Sequence, residues 1–241
     1  MAEGGEPAIG ILLLDYGGPI IRGSTGDVTT PRKLGDIGNA ASYRYPVFFH
    51  TVKGLTFDRV LAGGAECERL VVEAAKELET CGVRGISSDC GFLISFQQAV
   101  SQALRIPVLL SSMLQLPMVA AASGSRRPVA LITATDAAFG RSMLELAGVP
   151  ADTPIIVRGL QREPHFKEAI LEGSADTLDW DVIGQEVVKV VQETIEEQPE
   201  TGAIVFECSL LPPYSGLVRE TTGLPVFDFI TLIDFLYAGT Q

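Results

Sequence analysis

The chain is short of basic residues, of histidine and of patterned cysteine, and each shortage removes a class of function. Its 18 Lys and Arg stand against 30 Asp and Glu, a formal net charge of −12. Neutralising phosphates takes a basic face, so no nucleic-acid partner is expected. The two histidines, His50 and His165, lie in unrelated settings, and cysteines 67, 81, 90 and 208 show neither C-x-x-C nor Cys/His spacing. No patterned zinc site can be built from that set. G-x-S-x-G and G-x-G-x-x-G are both missing, and no Walker-type lysine follows Gly17-Gly18. A serine-hydrolase elbow and a phosphate cradle are therefore not expected.

Long apolar runs are missing too. The most hydrophobic window, Ile106 to Ala122, is broken by Pro107, Ser111, Ser112, Gln115 and Pro117, which argues against a membrane span. The opening MAEGGEPAIG lacks the basic and apolar regions of a secretory signal. These features predict a cytoplasmic protein with reduced thiols and no membrane partner.

What is present is an alternation of two periodicities. Short apolar runs at Ile9–Leu14, Val83–Ser87, Pro107–Leu110, Val129–Thr133 and Ala203–Phe206 suit parallel strands buried on both faces. Between them, Ala65–Glu79 places Cys67, Leu70, Val71, Ala74, Ala75 and Leu78 on one helical stripe, and Val182–Glu197 reads the same way. Alternation of this kind predicts an α/β protein whose mainly parallel sheets carry helices on both faces. Gly17–Thr51, rich in Gly, Pro and polar residues, reads as a long loop. Its Arg22, Arg32 and Arg44 are candidates for pairing with a substrate carboxylate.

An internal repeat organises the rest. Asp89-Cys90-Gly91-Phe92-Leu93 and Glu207-Cys208-Ser209-Leu210-Leu211 share the order acidic, Cys, small, apolar, Leu. Each cysteine precedes the proline of an X-Pro-Val strand by 17 residues, Pro107 in one copy and Pro225 in the other. Upstream, Ile9–Asp15 matches Val129–Thr135. The repeat predicts two pseudo-twofold-related, Rossmann-like lobes. Residues 1–114 with 225–241 would carry Cys90, and residues 115–224 would carry Cys208. Ligands of open α/β sheets bind at the carboxyl ends of strands, where both cysteines fall, so one cleft approached from two sides is expected.

Two thiols can invert a carbon acid, one removing the α-proton and the other returning a proton to the opposite face. A free thiol is a poor base at neutral pH, and a helix over Phe92–Leu104, opening just past Cys90, would favour its thiolate. A second helix over Tyr214–Thr222, opened by Pro212-Pro213, would do the same for Cys208. Asp89 and Glu207 would oppose ionisation if they faced the thiols. Cys67, on a helix stripe, and Cys81, at a helix end, read as structural.

This layout resembles the aspartate/glutamate/hydantoin racemase superfamily. The resemblance covers essentially the whole chain, and its specific part is the pair of cysteine motifs, with Gly35-Asp36-Ile37-Gly38-Asn39 beside them. It implies a cofactor-independent isomerase, a racemase or epimerase of a small carboxylate-bearing amino acid or derivative, with a homodimer as its assembly. Cys90 and Cys208 would be catalytic. Asp15, Tyr16, Asn39, Ser88, Asp89, Gly91, Thr133, Thr135 and Ser209 would bind substrate. The family's racemases follow the second cysteine with Thr-His or with Thr and an acidic residue, whereas this chain has Ser209-Leu210. That departure keeps three alternatives open: cis–trans isomerisation, lysis or decarboxylation through a cysteine adduct, and a non-catalytic small-molecule binding protein.

Overall fold

The computed structural model describes residues 8–15, 33–124, 126–172 and 178–240. The described residues up to Ser111, with those from Phe229 onward, form one compact unit; those from Ser112 to Asp228 form the other.

In the first unit, β1 (Ile9–Leu13) is central, flanked by β2 (Val47–Thr51) and β3 (Gly85–Ser88) in the order β2-β1-β3, all parallel. Every residue of β1 is buried, as a strand covered on both faces requires. A short α1 (Phe57–Ala62) precedes α2 (Ala65–Thr80), which buries Cys67, Val71, Ala74, Ala75 and Leu78, most of the predicted stripe. Leu78 packs over Gly10, leaving almost no room for a Cβ there. The opposite face, Ile9, Ile11 and Leu13, packs against Phe229, Leu232, Ile233 and Leu236. Those four belong to a helix from the far end of the chain. α3 (Gln97–Ala103) completes the unit as its elements run before Ser111.

The second unit begins with α4 (Leu116–Ala122) and carries a parallel four-stranded sheet. β4 (Val129–Thr133) lies between β5 (Ile155–Gly159) and β6 (Ala203–Phe206), and β6 also pairs with β7 (Val226–Phe227). Between β4 and β5 runs α5 (Arg141–Leu146), and after β5 comes α6 (Pro164–Phe166), continued as a π-helical turn over Lys167–Leu171. α7 (Trp180–Glu197) starts at Asp179, whose carboxylate accepts the Asp181 and Val182 N–H groups. Its Ile183, Val187 and Val191 pack on Ala130, Ile132, Ile204 and Phe206. Each such side chain contributes about 1.5–3 kcal/mol of burial. α8 (Ser215–Thr222) adds Val218 to the same face, and α4 covers the other. The final helix, α9 (Phe229–Gly239), returns to the first unit.

The repeat is visible bond by bond inside each unit. Ile86 bridges to Val108 as Ile204 pairs with Val226. Ile86 N–H donates to the Pro107 carbonyl at 3.0 Å, and Ile204 N–H to the Pro225 carbonyl at 2.9 Å. Asp89 N–H donates to Leu12 and Glu207 N–H to Ile132, at 3.0 and 2.8 Å.

Three expectations change. Gly17–Thr51 is not one loop, because Val47–Thr51 pairs in register with β1 as an edge strand. A matching edge strand, β5, occupies the same place in the second repeat. The segment 225–228 belongs with the second unit rather than the first, since Val226 and Phe227 hydrogen-bond to β6. After each cysteine the chain first makes a 3₁₀ turn, Gly91–Phe96 and Pro212–Tyr214, and α-helix begins only at Gln97 and Ser215. None of the described helices is long and apolar enough to cross a membrane.

Candidate active site

Each unit builds a cysteine turn at the carboxyl end of a strand. In the first, β3 ends at Ser88, and Cys90, 6% exposed, caps the 3₁₀ turn in extended conformation. Leu93 N–H donates to the Cys90 carbonyl at 3.0 Å and closes the turn. Ser88 Oγ donates to the Leu110 carbonyl at 2.5 Å and accepts from Cys90 N–H at 3.4 Å, so this hydroxyl braces the turn. Asp89 is buried, and its Oδ1 accepts from Leu14 N–H at 3.0 Å. Gly91 is the buried first residue of the turn.

The other candidates of this unit are anchored to backbone as well. Asp15 Oδ2 accepts from Gly54 N–H at 2.8 Å, where Gly54 holds a positive φ of 77°. Asn39 caps the short 3₁₀ helix Ala40–Ser42 by accepting from Ala41 N–H. The Gly35–Asn39 motif leads into the unit's core: Ile37, Tyr43 and Tyr45 are buried with β1, and the Tyr43 hydroxyl donates to the Ile37 carbonyl. Burial pushes the Tyr43 phenol well above its ordinary range, with Tyr45, Asp36, Asp234 and Asp89 adding to it. Arg44 is exposed. Tyr16, Arg22 and Arg32 lie outside the described residues.

In the second unit, β6 ends at Phe206, and Leu211 N–H donates to the Cys208 carbonyl at 3.1 Å, closing the matching turn. Cys208 is half-buried and packs with Leu210 against the β4–α7 core. Ser209 is buried. Thr133 and Glu207 meet: Thr133 Oγ1 donates to Glu207 Oε2 at 2.7 Å. Glu207 Oε1 is buried with no hydrogen-bond partner. Burial pushes this carboxyl up to about 7, and the Thr133 hydrogen bond only partly opposes it. Thr135 Oγ1 accepts from Ala137 N–H at 3.3 Å. Beyond β4, Asp136 is gripped by Gln161 and Arg162. Burial raises its carboxyl, but these bonds and Gly159 N–H bring it below its ordinary value.

The remaining candidates are spoken for. Cys67 is buried, which pushes its thiol up, away from reactivity. His50 pairs with Glu77 at 3.3 Å and His165 with Glu186 at 3.1 Å. Sequence reasoning treats Glu207 only as the neighbour of Cys208. The acidic residue preceding each cysteine in the repeat was the signal that marked it.

Known proteins can now be set beside these turns. The chain is 37% identical over 236 residues to dimethylsulfoniopropionate lyase 7 of Emiliania huxleyi strain CCMP1516, covering 93% of this chain and 64% of that one. It is 35% identical over 212 residues to the dimethylsulfoniopropionate lyase of Durusdinium sp. clade D, covering 85% of this chain and 69% of that protein. The chain belongs to the dimethylsulfoniopropionate lyase family. It spans 60 to 64% of the length of the Emiliania huxleyi lyases 3, 6 and 7. No family model matches it.

Solved structures agree on the architecture. Arylmalonate decarboxylase superposes with a TM-score of 0.57 at 19% identity, covering 97% of this chain and 92% of that one. An aspartate racemase homologue from Pyrococcus horikoshii OT3 gives 0.60 at 18% identity, covering 95% and 98%. The dimethylsulfoniopropionate lyase family member described here therefore has the fold of the Asp/Glu racemase superfamily. Membership of this family also corrects one expectation. The chain was expected to be an isomerase, and its relatives are lyases. The cysteine motifs alone pointed to racemisation because a pair of thiols suits proton transfer at a carbon acid.

Proposed function

We propose that this chain is a lyase that cleaves dimethylsulfoniopropionate, or a close sulfonium carboxylate, to dimethyl sulfide and acrylate. The observation that carries the reading is its 35% identity to the Durusdinium lyase over 69% of that protein. A thiolate of the Cys90/Cys208 pair takes a proton from the carbon next to the carboxylate. The C–H electron pair becomes the new carbon–carbon double bond. The bond from the next carbon to sulfur breaks, its electrons passing to sulfur, and neutral dimethyl sulfide leaves. The proton now on the thiol returns to solvent, so substrate equals dimethyl sulfide, acrylate and one proton.

This elimination makes lighter demands than racemisation. A sulfonium departs as a neutral molecule and needs no general acid. What remains is a base and donors for the negative charge that builds on the carboxylate. The expected substrate partner is thus a small carboxylate with a cationic leaving group, and no cofactor enters the scheme. The residues proposed around it are those of the two turns, Ser88, Asp89 and Gly91 in one and Thr133, Thr135 and Ser209 in the other. Asp15, Tyr16 and Asn39 are proposed as further substrate-binding residues.

The test is to incubate the purified chain with dimethylsulfoniopropionate and follow dimethyl sulfide by gas chromatography and acrylate by NMR. Equimolar release of both is the expected result. Absence of both from folded protein would overturn the proposal.

A further inference from the structure

The elimination above uses thiols and leaves one buried acid without a task. Glu207 is 1% exposed and is the residue immediately before Cys208. Its backbone N–H is fixed to the Ile132 carbonyl at 2.8 Å, so the start of the cysteine turn is tied to β4. Its Oε2 receives the Thr133 hydroxyl at 2.7 Å, while Oε1 has no hydrogen-bond partner and no access to water. A carboxylate in that setting would leave a buried charge with one neutral donor, an expensive arrangement; a carboxylic acid leaves only one O–H. Thr133 faces it from β4, and Ser112, before α4, donates to the Phe206 carbonyl beside it. Asp136, past the end of β4, is held by Arg162 and Gln161, and Cys208 follows on its own strand end. Among the described residues no cation contributes to its ionisation.

We propose that Glu207 is a positioning residue for Cys208. As a neutral acid it ties β6 to β4 through Thr133 and leaves the thiol free to ionise, and as a carboxylate it suppresses the neighbouring thiolate. The inference rests on the reading of Cys208 as a reacting thiol. Adjacent residues place their charges on the order of 8 Å apart, and at an effective dielectric near 20 that repulsion is worth up to roughly a thirtyfold change in thiolate population. Burial raises the carboxyl into the neutral range, so the change of state falls where the enzyme would work. The first repeat differs at this point. There the acid, Asp89, receives a backbone N–H from Leu14 rather than a lone hydroxyl, so the two turns are not electrostatically alike.

The experiment measures the alkylation rate of Cys208 by iodoacetamide against pH. Mass spectrometry of the Cys208 peptide separates it from the other three cysteines, so the full chain is used. The Glu207→Gln variant should match wild type near pH 6 and react roughly tenfold faster near pH 8. A purely structural role would change the rate by the same factor at every pH, and superimposable or parallel curves would overturn the inference. Wild type alone supplies a second check that does not depend on the variant folding. Its infrared spectrum should show a protonated carboxylic acid that disappears on titration through about pH 7. A spectrum in which every carboxyl has ionised by pH 6 would likewise overturn it. Both readouts are independent of dimethyl sulfide release, so a chain that fails as a lyase can still pass here, and the reverse.

Discussion

Leu14 donates its backbone N–H to Asp89 Oδ1 at 3.0 Å, a buried bond between residues 75 positions apart. It fastens the end of β1 to the residue before Cys90, as Thr133 and Glu207 fasten β4 to the residue before Cys208 over 74 positions. The acid before each cysteine therefore ties its turn to the neighbouring strand, while the cysteine carbonyl closes the turn itself.

Removing the first of these acids should be costly. Asp89→Ala strands a buried Leu14 N–H and is expected to destabilise the protein by about 2–3 kcal/mol, with Asp89→Asn, which keeps an acceptor, losing less. Chemical denaturation measures both. Equal losses for the two substitutions would mean the hydrogen bond is not the cause.

The four cysteines should separate cleanly. Cys90→Ala and Cys208→Ala are each expected to lower dimethyl sulfide release by a hundredfold or more with little change in Tm, the scale of losing a catalytic base. Cys67→Ala should keep activity and lose about 1 kcal/mol of stability, because a small buried group is removed. Cys81→Ser, on the surface, should change neither by more than about 0.5 kcal/mol. Full turnover in the Cys208→Ala protein would remove that residue from the mechanism.

Stability should depend on pH through Glu207. Its carboxyl titrates at about 7 when folded and near the ordinary 4.5 when unfolded, so between those values the folded state holds a proton that the unfolded state has released. Raising the pH across that window therefore favours unfolding, by about 3 kcal/mol at most, and the dependence levels off above it. Glu207→Gln should remove this slope. Urea denaturation of both proteins from pH 5 to pH 8 makes the comparison; an unchanged slope would assign the dependence to other groups.

Gly159 should tolerate no side chain. A Cβ at this residue would fall inside contact distance of the Asp136 backbone nitrogen and of the Gln161 side chain, at the end of β5. Gly159→Ala is expected to cost about 3 kcal/mol or more, since backbone must move. A Tm within two degrees of wild type would show that the strand end yields easily.

How far the sequence could be read varies along the chain. The buried central strands were legible because Ile9–Leu13, Val129–Thr133 and Ala203–Phe206 are apolar apart from the closing Thr133, as a doubly covered strand requires. The amphipathic α2 and α7 were legible for the complementary reason, one buried stripe each. The edge strands β2 and β5 were not, because Val47–Thr51 and Ile155–Gly159 are only partly buried along most of their length and carry no clean period. That the relatives are lyases was also hidden, since the cysteine motifs carry no mark of what leaves the substrate.

By itself the order of residues determined the two matched cysteine turns, their equal spacing to an X-Pro-Val strand and the parallel sheets, all of which depend on local pattern and chain distance. Tertiary structure alone decided which atoms those turns are pinned to. Leu14 meets Asp89, Thr133 meets Glu207, and α9 crosses back to cover β1, because hydrogen bonds and burial act between groups that the fold, not the chain, makes neighbours. The protonation of Glu207 follows from the same fact: a carboxyl loses its water only when other parts of the molecule enclose it.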